Sequence, residues 1–416
     1  MTFSLPSRKG DGPLTFGVRV LQRRGVASML AESAGAVRTR KQSFVLSALY
    51  LDGPLSRRAL SAATGISASS VSHLVAELVE NGLLRQAGTV SSNGGRPRTL
   101  FEINPAFGLT VGIEITARKA RIGLFDLSCR RFAVVERALP ADLPDVDEVA
   151  RELVSGIREV LNTAGVSQSA LIGVGIGLPS AGDGTRALAW SSGKLERLLG
   201  LAVPVFIERE VNNRALAESR FGAARGVDRA IVVQIGLGAE AALVADGTTE
   251  RIRGWGHLTI DFGGRRCRCG ARGCIEAYIG ASGVLDRYRE SAGGELQPEG
   301  NDFERMRTLV GSASLGAGEE SLLRETAGYV GVAVGNLISL FAPSRLIIAG
   351  WAGQLLGARF LPEIRDAALL HGGEHVLSPA SVLLGRVRAD AALTGAAVLP
   401  VLGLIKRGEI LRGTTT

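Results

Sequence analysis

Thr64-Gly65-Ile66-Ser67-Ala68-Ser69-Ser70-Val71-Ser72-His73-Leu74-Val75-Ala76-Glu77-Leu78, followed shortly by Asn81-Gly82, spells a helix with two unlike faces. Val71, Leu74, Val75 and Leu78 recur at helical spacing, Ser67 is placed to cap the first turn, and Asn81-Gly82 ends the element. The other face carries Ser69, Ser70, Ser72 and His73, small or polar groups that can meet base edges and phosphates without obstruction. Upstream, Phe44, Val45, Ala48 and Leu49 predict a helix closed by Gly53-Pro54, and Ser56 can cap a second one running through Leu60 and Ala63 to Gly65. Downstream, two extended runs, Leu83 to Ala87 and Thr99 to Ile103, bracket a loop containing Asn93-Gly94-Gly95-Arg96-Pro97. Three short helices and a β-ribbon predict a winged helix-turn-helix over residues 41–105; a generic helical domain with a hairpin is the blander explanation of the same pattern. Arg96 and Arg98 stand beside glycines that allow close backbone approach, a suitable shape for a minor-groove probe.

The whole chain has 416 residues, which suggests two or three domains, and its 55 glycines are about twice the usual share. A formal net charge of +8 points to a polyanionic partner, either nucleic acid or an anionic membrane. No apolar run approaches the ~20 residues that a spanning helix needs, so the membrane reading is the weaker one. Residues 1–40 are rich in Gly, Ser, Ala and Arg with little periodicity and read as a mobile basic tail, with Met29 an alternative start. The first 30 residues lack the apolar stretch of a secretory signal, and a cytoplasmic protein is expected.

After Asn104-Pro105 the apolar runs alternate between strand and helix character to the end of the chain, which predicts an α/β architecture over residues 106–405. Thr110 to Ile115 and Lys119 to Asp126 read as a hairpin, Val146 to Ala164 as an amphipathic helix and Leu171 to Leu178 as a buried strand. Further on, Val203 to Ile207, Ala230 to Leu237, Ala241 to Asp246 and Arg345 to Ala349 read as strands, while Asn212 to Phe221 and Ser321 to Leu340 read as helices. No solenoid repeat is visible.

The strongest local signal is His257 followed by Cys267-Arg268-Cys269 and Cys274. One imidazole and three thiolates are the four ligands that tetrahedral zinc prefers, and the intervening glycines allow the turn that converges them. Four protein ligands leave no position for a catalytic water, so a single structural zinc per chain is expected, against the alternative of unligated packing cysteines. Cys129 stands apart and reads as a buried thiol or loop residue.

This cluster, with Gly256-His257 before it and Gly273-Cys274-Ile275-Glu276 closing it, resembles the zinc signature of the ROK family of repressors, open reading frames and kinases. The resemblance covers about residues 41–405. Gly173-Val174-Gly175-Ile176-Gly177-Leu178-Pro179 is similar to the family's glycine-rich strand, Glu208 to Glu218 to its active-site segment, and Gly94-Gly95-Arg96-Pro97 to the wing of its repressor branch. It implies a two-lobed fold of the actin-like, ribonuclease-H-like kind: a small lobe at about 106–205 plus the C-terminal helix, and a large lobe at about 206–385. Dimers or tetramers with a sugar in the cleft are also implied.

The departures from that pattern concern phosphate. Where the kinases carry Asp-x-Gly-Gly-Thr, this chain has Glu114-Ile115-Thr116-Ala117-Arg118, so side chains stand where glycine lets phosphate approach. The second phosphate segment reads Gly236-Leu237-Gly238-Ala239-Glu240-Ala241-Ala242, with a carboxylate gained, and the adenosine-contacting Gly-Gly becomes Gly350-Trp351, whose indole is expected to fill the nucleotide floor. In the sugar site the family's Glu-Asn-Asp is Glu208-Arg209-Glu210, and Gly254 replaces a Glu. Asn212, His257 and Glu276 are retained, and the resemblance places them at or beside the sugar. Arg209 and Glu210 either satisfy each other as a surface ion pair or present a guanidinium fork to an anionic ligand. The reading favoured is therefore a regulator that binds operator DNA and a sugar or sugar-derived effector without phosphorylating it. A sugar kinase with an appended DNA-binding domain and a regulator that senses no sugar are the alternatives.

Overall fold

The computed structural model describes residues 34–92, 95–116, 118–139, 146–179, 197–245, 247–291, 300–312, 316–372, 381–387 and 390–408. They fall into two units, one comprising residues 34–104 together with 405–408, the other running from Pro105 to Leu404.

The first unit has the element order α1 (Ala34–Asp52), β1 (Leu55–Ser56), α2 (Arg57–Thr64), α3 (Ala68–Glu80), β2 (Leu84–Ser92) and β3 (Gly95–Ile103). Its core is the predicted one: Val45, Leu49, Leu60, Val71, Leu74, Val75 and Leu78 are buried. Ser56 Oγ accepts from the Ala59 amide at 3.2 Å and Ser67 Oγ from the Ser70 amide at 3.3 Å, so both serines cap as expected. Gly65, at φ 71°, makes the left-handed turn between α2 and α3. Helix α1 begins upstream of Lys41, where apolar periodicity starts, and Arg38 in this added stretch pairs with Glu77 of α3. The strands pair in the order β1-β3-β2. The ribbon is longer than the apolar pattern suggested, because backbone pairing continues through polar residues, from Leu84↔Ile103 to Ser92↔Gly95. Gly95, Arg96 and Pro97, expected in the loop, therefore stand in β3.

The second unit contains two five-stranded sheets with one connectivity. In the small lobe β4 (Leu109–Ile115), β5 (Lys119–Asp126), β6 (Arg131–Ala138), β7 (Leu171–Leu178) and β8 (Val205–Arg209) lie in the order β6-β5-β4-β7-β8. In the large lobe β9 (Arg229–Ile235), β10 (Ala239–Ala245), β11 (Thr248–Arg251), β12 (Arg345–Ala349) and β13 (Val382–Leu384) lie in the order β11-β10-β9-β12-β13. Each sheet pairs its first three strands antiparallel and adds two parallel ones beside the first. Helix α4 (Val146–Ala164) buries Val149, Leu153, Ile157 and Val160 against the small sheet. The large sheet is backed by the long helices α9 (Ala317–Phe341) and α10 (Trp351–Gly372).

The glycine-rich strand β7 has a packing role. Helix α11 (Ala391–Arg407) lies directly on the sheet, and a Cβ at Gly175 would run into the Ala396 carbonyl oxygen, while one at Gly173 would come within 2.8 Å of Pro400 Cβ. Strand β4 repeats the device at Gly112, where a Cβ would meet the Leu393 carbonyl. Gly175→Ala must push helix backbone away from sheet backbone, and the expected loss is about 2–3 kcal/mol. Urea unfolding of the variant tests this, and an unchanged midpoint would show that the contact yields freely.

Candidate DNA interface, metal cluster and cleft

On α3 the four residues predicted for the major groove lie together on the side away from the core. Ser69, Ser72 and His73 are exposed and Ser70 is half-buried, its hydroxyl accepting from Ser67 Oγ at 2.9 Å. The buried stripe of the same helix fixes this orientation, since Val71, Leu74 and Val75 cannot face the core unless the serines face out. Arg98 on β3 is exposed, whereas the Arg96 side chain lies outside the described residues.

His257, Cys267, Cys269 and Cys274 come together as expected, with one ligand atom from each lying within 4.8 Å of all the others. His257 Nδ1 is 3.8 Å from Cys267 Sγ, and Cys269 Sγ is 3.7 Å from Cys274 Sγ. Bonds of about 2.0–2.3 Å around a tetrahedral ion separate its ligands by roughly 3.5–3.8 Å, so the four residues fit a metal ion. The knuckle is held by backbone bonds, Cys267 N to Ala271 O at 2.8 Å and Ile260 N to Gly273 O at 2.7 Å. At Gly273, with φ 73°, any Cβ would collide with the Asp261 carbonyl. Burial, with a hydrogen bond to Cys269, pushes the Cys274 thiol up to about 12, and burial also raises that of Cys267. The Ala271 backbone amide lowers that of Cys269. Three adjacent sulfurs in this setting ionise together only against a cation, which is what a divalent metal supplies. Cys129 sits elsewhere, in the β5–β6 turn at φ 62°, its thiol pushed up to about 12 by burial.

Between the two sheets of the second unit lies a cleft of about 1230 Å³. The carboxyl ends of β4, β9 and β12 open onto it through Thr116, Gly236 and Gly350. Its polar floor is a network at the start of α5 (Glu210–Phe221): Arg214 donates through Nη2 to Glu210 at 2.9 Å and through Nε to Gln234 at 3.1 Å. Glu114 adds a second carboxylate, held at 3.2 Å by Arg121, which also reaches Asp390 at 2.6 Å. Burial, reinforced by the charge of Glu210, raises the pKa of Glu114 against the opposing pull of Arg214 and Arg121.

Comparison with known proteins decides the family. The profile described as the ROK family matches residues 110–400. The chain belongs to the ROK family. A profile described as the MarR family matches residues 38–96, within the winged helix. The xylose repressor of Bacillus subtilis is 28% identical over 325 residues, spanning 75% of this chain and 82% of the relative. The DNA-binding transcriptional dual regulator NagC of Escherichia coli K12 is 26% identical over 324 residues, spanning 72% of this chain and 77% of NagC. Among solved structures, a ROK transcriptional regulator homologous to the Escherichia coli MLC protein shares the fold with a TM-score of 0.71 at 21% identity, covering 89% of this chain and 97% of the other. A ROK hexokinase from Thermus thermophilus gives 0.57 at 25% identity, covering 71% and 99%.

Within the ROK domain the residues singled out in sequence do not all converge. Glu210 lines the cleft, but Arg209 does not pair with it: the Arg209 guanidinium donates to the Pro179 carbonyl at 3.2 Å, and Glu210 takes Arg214 instead. Neither side is a surface ion pair, because α5 places residue 214 one helical turn after 210 and turns Arg209 the other way. Asn212 is buried, and among the described residues its Oδ1 has no hydrogen-bond partner. Glu276 accepts from the Ala239 amide at 3.2 Å and lies 3.8 Å from Arg268, in a small second pocket beside the metal knuckle. Trp351 does not fill the nucleotide floor: it stands in the cleft wall, edge-on to Phe303 with centroids 5.4 Å apart, and the space remains open. The charge of Glu240 is offset by Arg251 at 3.1 Å, which tempers the repulsion expected there. Arg214, Gln234 and Phe303, which line the cleft, and Arg121, which holds Glu114, were missed, since only tertiary contact brings them to these places.

Glu114 carries a pH prediction. Its folded pKa lies above the unfolded one, so the native state binds the extra proton and this group's contribution to stability declines as pH rises through that window. Above the window the penalty is constant. Glu114→Gln should therefore raise the melting temperature at pH 7 relative to the parent by more than it does at pH 4. Equal shifts at both pH values would show that Arg121 fully compensates the buried charge.

Proposed function

We propose that this chain is a DNA-binding transcriptional regulator, acting as a repressor of carbohydrate-related genes, whose operator affinity is set by a sugar or sugar-derived ligand and which does not phosphorylate that ligand. The observation that carries the reading is the pairing, in one chain, of a winged helix presenting Ser69, Ser72 and His73 with a ROK cleft whose phosphate loops carry Thr116, Glu240 and Trp351. The repressor names of the relatives support it. Phosphoryl transfer relies on positioning and charge stabilisation of the phosphoryl group, and backbone amides freed by glycine normally supply both.

The assigned roles are as follows. Ser69, Ser70, Ser72 and His73 meet the major groove while Arg96 and Arg98 serve the wing. Zinc is the structural metal, held by His257, Cys267, Cys269 and Cys274, and it shapes the loop leading to Glu276. Effector recognition falls to Arg209, Glu210, Asn212, His257 and Glu276, with Arg214 as a donor fixed beside Glu210. His257 turns Nδ1 toward Cys267, which leaves Nε2 for a ligand. Binding selects one arrangement of the ROK lobes, and a homodimer or homotetramer working in the cytoplasm reads a two-part operator. No described helix is long and apolar enough to cross a membrane.

Two measurements test this. Calorimetry with ATP and a coupled phosphorylation assay with common hexoses and pentoses should show neither nucleotide binding nor turnover. Operator affinity, screened against sugars, sugar acids and sugar phosphates, should change about tenfold or more with one of them, which needs only about 1.4 kcal/mol of coupling. ATP-dependent turnover would favour the kinase with an appended DNA-binding domain.

A further inference from the structure

The cleft is larger than the ligand the reading above assigns to it. At about 1230 Å³ it exceeds the roughly 300–1,000 Å³ of ordinary small-molecule sites and leaves most of its length unused by a single pyranose. Its two ends differ in chemistry. The end at Glu114, Glu210, Arg214 and Gln234 is polar, with a carboxylate network suited to hydroxyl groups. The other end is walled by Phe303, Trp351, Leu355 and Leu384. Polar groups near that wall are engaged elsewhere: the Gln354 amide donates to the Gly385 carbonyl at 3.0 Å, and Asn301 and Glu304 cap each other at 2.8 and 3.1 Å. Arg305 and Asp302 stand beside this wall 3.9 Å apart, and the wall itself is apolar and aromatic. The Phe303 and Trp351 rings meet at 73°, so the pair forms a corner against which a third flat ring can stack or set its edge.

We propose that the effector is a glycoside carrying an aromatic aglycone, with its sugar at Glu210 and Arg214 and its ring against Trp351 and Phe303. This rests on the sugar-sensing reading and specifies its ligand class. The wall of Phe303 and Trp351 calls for a flat face, and its apolar side chains call for no charge. A neutral flat group satisfies both conditions.

The probes are p-nitrophenyl and methyl β-glycosides of glucose, xylose and N-acetylglucosamine, titrated calorimetrically into the full chain. For one sugar the aryl glycoside should bind up to about tenfold tighter than the methyl glycoside, the advantage a well-placed aromatic contact supplies. Trp351→Ala should bring the aryl glycoside down to the methyl level and leave the methyl glycoside unchanged, while Trp351→Phe and Phe303→Leu should each retain part of the difference. Equal affinity of aryl and methyl glycosides overturns the proposal and leaves the sugar-sensing reading standing. If no glycoside of either kind binds, the sugar-sensing reading falls and takes this proposal with it. Adenosine binding with the same Trp351 dependence, or an aryl preference that survives in Trp351→Ala, also overturns it.

Discussion

Glutamate at both Ser69 and Ser72 is expected to abolish operator binding while leaving the domain folded. Each substitution places a carboxylate on the exposed face of α3, against the most strongly anionic surface a protein meets, and removes a small group that lets the helix sit deep in the groove. The expected loss is at least about 100-fold in affinity, or about 3 kcal/mol, at moderate salt. Folding is spared for independent reasons. Glutamate has a higher helix propensity than serine, and at position 69 it stands in the first turn, where negative charge is favoured. The amide of Ser70 keeps its bond to Ser67 Oγ, so the cap survives. Fluorescence anisotropy on operator DNA gives the affinity, and circular dichroism checks the fold. Retention of affinity within a few fold would move the DNA-reading surface off α3.

The second large effect concerns the metal cluster. Cys274 is fully buried and Cys267 nearly so; Cys267 is bonded through its backbone to the turn that carries Cys269, and Cys274 pairs with Thr259, two residues after His257. With zinc bound as proposed, loss of the ion would leave the thiols without the cation that fits their packing, and loss of a ligand would open the site to water. Structural zinc contributes on the order of 10 kcal/mol or more in small domains, and in a domain of this size with a second core a loss of about 4–5 kcal/mol is expected. At roughly 2–4 °C per kcal/mol, chelation or Cys274→Ser lowers the melting temperature by about 10 °C or more. Elemental analysis should find one zinc per chain in the parent and none in the variant, with Cys129→Ser as a control that keeps its zinc. Metal-free protein that melts at the parent temperature would return the cysteines to ordinary packing. The loss also reaches the ligand side, because Tyr278 Oη ties Asp261 at 2.7 Å and accepts from the Arg265 amide at 2.9 Å, linking the knuckle to the short helix that carries Glu276.

What could be read in the sequence was whatever is encoded over a few turns of chain. The stripe Val71, Leu74, Val75 and Leu78, with Ser67 before it, identifies α3 because cap and stripe lie within a dozen or so residues and answer to local geometry. The four residues of the candidate metal cluster were legible for a related reason, since a short glycine-containing loop brings the thiols together without help from the rest of the fold. The hairpin of β4 and β5 and the amphipathic helix α4 are likewise local patterns. Strand β6 escaped because it is an edge strand whose apolar run Phe132 to Val135 does not alternate with polar residues, Phe132 and Val134 being exposed.

Tertiary structure alone decided the rest. The equivalence of the two sheets rests on pairings between strands far apart in sequence, such as Ile347 with Val232, which leave no local trace. The glycines of β7 resemble a ligand-approach motif, but their role as the seat of α11 is visible only when Ala396 and Pro400, more than two hundred residues away, come down on them. Arg209 and Glu210 are adjacent in the chain and part company in space, because a strand-to-helix junction points consecutive side chains in different directions. Whether Trp351 fills or lines the cleft depends on Phe303, which arrives from another helix, and on the distance between two sheets. Residue chemistry therefore determined which side chains stand at Thr116, Glu240 and Trp351, and long-range packing decided what space they border.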